Sequence, residues 1–403
     1  MIRHILSTFF TRFFIAISNL AIAIILSNFT GAYGRGEQSL IITFISFIII
    51  ISGIIGSSSI SYLLPRLNFS SLIVPSYLWV VVVTALCFFI LPVLNQVDAS
   101  YTVDICFLSL IFSFININTS VLISKQRIYE ANMIGFVQAL MTVIWLLFAF
   151  IVLNNRTVNT YINALYVGYC SALLMSFSYT APYFKAMKLQ PVQDYLKASK
   201  MLSVFGFYNQ VAVFTQMLSF RLSYYLLNSW IGTEEVGVYS NAVSIAESVW
   251  LIARSIGTVQ HSRIVNSKDR GSSLKLTSRV NKLNIFISIF LLTVLSLIPS
   301  AWYIFIFGKD FNGINHIVWT LAPGILFFGI AIILGYYFSS TGKHFVNAIG
   351  SSAGLIVTVI LGLILIPRYG VAGAGITASI SYAITALIVW LYYRRELINV
   401  KPL

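Results

Sequence analysis

Twelve apolar stretches, each long enough to cross a bilayer, leave this chain few ways to fold. They run approximately over 7–27, 38–62, 72–94, 101–123, 133–153, 161–181, 202–231, 236–259, 283–307, 314–339, 345–366 and 371–393. About 20 apolar residues are needed to span the hydrocarbon layer as a helix. The predicted fold is therefore an all-α polytopic membrane protein with about 12 transmembrane helices. Composition agrees: only 9% of residues are charged, against roughly a quarter in a soluble domain. The run 7–27 is too long for the apolar core of a signal peptide, about 7–15 residues, and is kept as a span.

Basic residues set the orientation. The outer loops hold only Arg35, Arg156, Lys309 and Arg368, and Arg12, Arg221 and Arg254 lie within spans. Every other Lys and Arg falls in an inner segment, so the positive-inside rule places both termini in the cytoplasm. The formal charge of +14 does not argue for nucleic acid, because the basic residues are spread over short loops and form no single face. Cys87, Cys106 and Cys170 have no CxxC or His-rich neighbourhood and read as packing residues. No metal or cofactor motif is present. Walker, HExxH and GxSxG signatures are absent too, so the chain does not read as an enzyme.

The two longest connections, 182–201 and 262–282, are both cytoplasmic and basic. The first contains KAMKLQPVQDYLKASK, an amphipathic stretch suited to the membrane surface. It separates an N-terminal six-helix lobe, 1–181, from a C-terminal six-helix lobe, 202–403. An internal repeat supports the division. LSNFTGAYGRG at 26–36 and LNSWIGTEEVG at 227–237 share Leu, Gly and Gly at one offset, pairing Leu26 with Leu227, Gly31 with Gly232 and Gly36 with Gly237. The four glycines read as structural turns. Six spans per half is even, so the halves share one orientation and are related by an axis along the membrane normal.

Residues 220–263 place ionised groups inside otherwise apolar spans. Ser240, Glu247, Arg254 and His261 recur every seven residues, and at about 100° per residue they drift only roughly 20° per step. That predicts one polar stripe along span 8. Span 7 adds Arg221, with Asn209 and Gln216 on another face, and span 1 carries Thr8, Arg12 and Asn19 on one face. A charge at the bilayer centre costs at least about 2.5–3.5 kcal/mol, so it faces a bundle interior or a wet cavity. The expectation is a cavity lined by spans 1, 2, 7 and 8. Plainer readings stay open. Arg12 also suits an inner anchor of span 1. Glu247 and Arg254, roughly 10 Å apart by helix rise, also suit mutual neutralisation. His261 at the membrane edge reads as readily as an interfacial histidine as a proton relay.

The chain also resembles a known family. The motifs are Gly232-Thr-Glu-Glu-Val-Gly237-Val-Tyr239, Phe307-Gly-Lys-Asp-Phe311, Thr341-Gly342-Lys343 and Ile366-Pro367-Arg-Tyr-Gly370-Val-Ala-Gly373-Ala. They resemble the polysaccharide flippases of the multidrug/oligosaccharidyl-lipid/polysaccharide (MOP) exporter superfamily, above all the Wzx-type flippases of O-antigen or capsule repeat units. The likeness runs from about Arg12 to Arg395 and implies a MOP/MATE-like fold in a bacterial cytoplasmic (inner) membrane. It implies transfer of an undecaprenyl-diphosphate-linked oligosaccharide from the cytoplasmic to the outer leaflet, amid membrane lipid, with the polymerase and chain-length proteins of the same pathway as further partners. Arg12, Arg221 and Arg254 are then the cationic substrate-binding residues, and Glu247, His261, Asn19, Gln216 and Ser240 line or couple the cavity.

This sequence departs from the family pattern twice. Family members commonly carry Arg-x-Asp in span 7, whereas here Ser223 follows Arg221 and Leu222, which removes an expected partner of Arg221. Relatives often have Pro near the inner end of span 8, where this chain has His261-Ser262, so a kink there is in doubt. Two other functions stay open: a cation-coupled multidrug exporter of the same superfamily, although spans 1–6 hold no central carboxylate, and a non-transporting component of glycan assembly such as the polymerase, although no sizeable outer loop is present.

Overall fold

The apolar stretches fold as helices, and no strand occurs among the described residues. The computed structural model describes residues 2–399 other than 266 and 268, with side chains except at 2–10, 12, 57, 58, 208, 209, 212 and 399. The helices are α1 (Ile2–Ser52), α2 (Ser57–Leu63), α3 (Phe69–Leu94), α4 (Thr102–Ser124), α5 (Ile128–Ile151), α6 (Val158–Lys185), α7 (Val192–Trp230), α8 (Thr233–Glu247), α9 (Trp250–Val265), α10 (Arg270–Leu297), α11 (Ser300–Phe307), α12 (Ile314–Ser340) and α13 (Phe345–Asn399).

Eight described segments are long and apolar enough to cross a membrane. Two of them, Phe13–Leu63 and Phe345–Ile398, contain 51 and 54 residues. At about 1.5 Å per residue each would reach roughly 75–80 Å as a straight helix, more than twice the hydrocarbon thickness of about 30 Å. Each is in fact broken, at Gly31 (φ 70°) and at Gly370 (φ 54°), and therefore supplies two spans. With α6 and α7, of 28 and 39 residues, the expected set of twelve is complete.

The two halves of the sequence repeat build the same local turn. Leu26 and Leu227 are fully buried, and five residues on, Gly31 and Gly232 both take positive φ, 70° and 150°. A side chain would be strained there, which is why glycine stands at both positions. Gly36 and Gly237 follow as buried residues in the next helix.

Two units emerge, Met1–Phe214 and Thr215–Leu403, and the division falls inside α7. The stretch 182–201, read as an amphipathic linker, is made of the end of α6, a short connection and the start of α7. Lys185 ends α6, and α7 begins at Val192. Leu189, Val192 and Leu196 are exposed beside the lysines, whereas Ala198 and Leu202 enter the first unit's core against Ile60, Leu63, Leu72 and Val121. Residues assigned by sequence to the second lobe, 202–214, thus pack with the first. Nothing between Val192 and Trp230 stops the helix, since Pro191 precedes it and no proline follows until after it ends.

Candidate functional site

The second unit carries the ionisable groups singled out by the sequence. α7 presents Phe220 and Arg221, and α8 ends on Glu247. Span 8 then tightens. Ser248 and Val249 donate their N–H groups to Ile245 and Ala246, at 3.2 and 3.3 Å, and Leu251 and Ile252 repeat the pattern to Ser248 and Val249, at 3.1 and 3.3 Å. These are i to i−3 bonds of 3₁₀ type, helped by the Ser248 hydroxyl, which bonds the Ile245 carbonyl at 2.6 Å. A 3₁₀ turn advances about 120° per residue against about 100° in an α-helix, so the tightened stretch rotates α9 by roughly 60–80° relative to α8. The single stripe through Ser240, Glu247, Arg254 and His261 is broken at its second member. No proline makes the break.

Glu247 turns to α7. Its carboxylate accepts from both terminal nitrogens of Arg221, at 3.3 Å from Nη2 to Oε2 and 3.5 Å from Nη1 to Oε1. Arg221 Nη1 also donates to Tyr224 Oη at 2.9 Å, and the guanidinium lies 5.1 Å from that ring's centre. The side chains keep only 26% and 19% of their surface exposed. Glu247 thus supplies Arg221 with the partner that Ser223 does not provide, and of the readings left open for Glu247, mutual neutralisation with Arg254 is not the one seen.

Aromatic rings support the pair. Phe220, Trp250, Phe328 and Tyr382 pack in mutual contact, with centroids 4.8–5.5 Å apart. Trp250 is pinned by its indole N–H, which donates to the Ile325 carbonyl at 2.9 Å. Beside this cluster Ser219, Thr358 and Ser381 form a buried hydroxyl triangle with sides of 2.8–3.2 Å. Such a triangle lets three polar groups sit in the apolar interior at little cost.

Arg254 is exposed on α9 and borders a cavity of about 350 Å³, with Gln216, Phe328, Tyr336, Asn347 and Ser351 among its walls. Among the described residues its guanidinium has no ion pair. His261 is tied elsewhere. His261 Nδ1 lies 2.7 Å from Ser340 Oγ, and that hydroxyl bonds the Tyr336 carbonyl of its own helix at 2.6 Å. Ser240 is buried and bonds the Gly237 carbonyl of its own helix at 2.9 Å, away from the ion pair. Asn19 is exposed on α1 of the first unit. The side chains of Arg12, Thr8 and Asn209 lie outside the described residues.

At the end of the second unit, Glu396 holds Arg270 and, at 2.5 Å, Lys343, joining α10, the turn before α13 and the end of α13. Asp269 caps α10 by accepting from the backbone N–H groups of Gly271 and Ser272, at 2.8 and 2.9 Å. These bonds favour the ionised carboxylate and hold its pKa below the ordinary value. Among the described residues no three His, Cys, Asp or Glu side chains gather as a metal site would need.

Sequence reasoning missed the aromatic cluster, the hydroxyl triangle and the α12–α13 side of the cavity. Thr377, Ser381 and Thr385, spaced four apart on one helical face and all buried, were the available signal.

No family model matches the sequence. A capsular polysaccharide biosynthesis protein, CapF of Staphylococcus aureus, is 27% identical over 173 residues, covering 42% of this chain and 44% of that protein. An O-antigen transporter of Shigella flexneri is 26% identical over 240 residues, 58% of this chain and 56% of that protein. The chain thus spans about half the length of the curated relatives it matches. Among solved structures, the lipid II flippase MurJ in an inward closed conformation superposes with a TM-score of 0.78 at 16% identity, over 99% of this chain and 90% of that one. An inward-facing multidrug resistance MATE family transporter of the MOP superfamily gives 0.72 at 15% identity, over 96% and 95%. Its motifs resemble the MOP exporter superfamily, its curated relatives are named for capsular polysaccharide and O-antigen, and the chain has the multi-span α-helical fold of that superfamily's transporters.

Proposed function

We propose that the chain is a flippase that carries undecaprenyl-diphosphate-linked oligosaccharide repeat units from the cytoplasmic to the outer leaflet of a bacterial inner membrane, for O-antigen or capsule. The observation that carries this reading is Arg254, an exposed guanidinium on a cavity of about 350 Å³ with no ion pair among the described residues. A cation in an apolar protein needs an anion, and a planar fork of N–H donors matches a phosphate through paired hydrogen bonds. Gln216, Asn347 and Ser351 add neutral donors and acceptors suited to sugar hydroxyls. Arg221 has a supporting part, since Glu247 already answers its charge. The names of the curated relatives and the fold shared with the lipid II flippase support the same substrate class. Polymerase and chain-length proteins of the pathway are the partners this reading implies.

The fold is also that of MATE drug transporters. A cationic drug, however, would meet the like charge of Arg254 inside the cavity. Reconstitution separates the readings. Proteoliposomes holding the parent protein should translocate a lipid diphosphate-linked glycan and leave a cationic dye untouched. Dye transport without glycan transport would overturn the proposal.

A further inference from the structure

Span 2 is interrupted within the first unit. α1 ends at Ser52, a 3₁₀ turn covers Gly53–Ile55, and extended backbone at Gly56 separates it from α2. A helix end leaves its last carbonyls without helical donors. In hydrocarbon such a break persists only where protein or a wet cavity meets it. Here it borders a cavity of about 250 Å³, whose wall includes the last turn of α1 at Ile49 and Ile50, Ser113 and Asn116 of α4, and Gln210 of α7.

Two observations say that this cavity is made for an occupant. Ser52 and Ser113 are 2% and 3% exposed, and neither hydroxyl oxygen has a hydrogen-bond partner. Each such group costs about 1–3 kcal/mol when nothing meets it. The helix above is also pressed onto the break. A Cβ at Gly206 of α7 would lie 1.8 Å from the Ile54 carbonyl oxygen, and one at Gly53 would lie 2.5 Å from Gln210 Nε2. Glycine at both positions lets α7 close over the interruption.

The polar groups at the cavity define the ligand. They are hydroxyl and amide oxygens beside a helix C-terminus, whose partial charge is negative. Among the described residues no Lys, Arg, Asp or Glu lines it. An anion would lack a positive partner, and a divalent cation would lack the carboxylates it demands. Neutral oxygens at an unwound helix end suit a monovalent cation. We propose that the interruption of span 2 is a binding site for an alkali-metal cation. Its ligands are Ser52 Oγ, Ser113 Oγ, the amide oxygens of Asn116 and Gln210, and a carbonyl from Ile49 or Ile50. The Ile51 carbonyl is already taken by Trp79 Nε1 at 3.3 Å. Because Gln210 belongs to α7, a bound ion fastens that helix to the broken segment.

The site is independent of the proposed substrate, and its test needs none. Thermal unfolding of the purified protein is followed in NaCl, KCl and choline chloride at equal ionic strength. An alkali chloride should raise the midpoint saturably above that in choline chloride. Ser52→Ala and Ser113→Ala should each move the half-saturating concentration up, on the order of tenfold, and the double variant should lose the response. A parent midpoint that is the same in all three salts would overturn the proposal, whatever the variants do. So would a Ser113→Ala variant that is stabilised equally in every salt, which is the outcome expected if the hydroxyl simply lacks a partner.

Discussion

Neutralising either member of the Arg221–Glu247 pair should destabilise the second unit by more than an ordinary surface substitution, and the structure sets the size. At 3.3 Å and an effective dielectric constant of about 20, the gross attraction is about 5 kcal/mol. Desolvation and the remaining exposure of about a quarter of each side chain offset much of it. A net coupling of about 1–3 kcal/mol is expected. Arg221→Gln, Glu247→Gln and the double variant complete a double-mutant cycle, read by SDS-induced unfolding in detergent. A second cycle on Glu247 and Arg254 should give a coupling near zero, because span 8 turns their faces apart. A coupling below about 0.5 kcal/mol for Arg221 and Glu247, or a larger one for Glu247 and Arg254, would refute the geometry.

Asp269 holds a lowered pKa through the N–H groups of Gly271 and Ser272, so its capping of α10 is fully present above the unfolded carboxylate pKa of about 3.9. It is lost as pH falls through the folded value. Asp269→Ala should therefore unfold earlier than the parent at neutral pH and match it in acid, as unfolding midpoints across pH would show. Glu396→Gln removes the shared partner of Arg270 and Lys343 and should speed proteolysis near residue 270 while leaving overall helicity unchanged by circular dichroism. Trp250→Ala empties a fully buried site and should cost about 3–5 kcal/mol, and a loss under 1 kcal/mol in unfolding would contradict the packing of the aromatic cluster.

The span pattern was legible because hydrophobic length is a local property, and the repeat was legible because positive φ at Gly31 and Gly232 is written directly as glycine. The break after Glu247 was not, since Ser248 and Val249 carry no helix-breaking signature. A straight helix there had left Arg254 open as a partner for Glu247. The true partner lies 26 residues earlier, on another helix, and the members of the Ser219–Thr358–Ser381 triangle are joined across 139 and 162 residues. Such pairings depend on which helices pack together, which periodicity within one helix does not reveal. The contact units divide inside α7, between Phe214 and Thr215, later in the chain than the basic connection. Proline and lysines near 182–201 mark a connection to water, but α7 continues through the boundary because nothing in 192–230 stops it.

The central claim is that Arg254 is an anion site in use, and glycan-lipid translocation by Arg254 variants tests it most directly. Proteoliposomes would carry the parent, Arg254→Lys and Arg254→Ala at equal protein content, with the rate at which a diphosphate-linked glycan crosses the bilayer as the readout. Arg254→Ala should fall by at least about tenfold, the equivalent of 1.4 kcal/mol. Arg254→Lys should fall in between, because it keeps the charge and loses the fork. Parent-like translocation by Arg254→Ala would contradict the account.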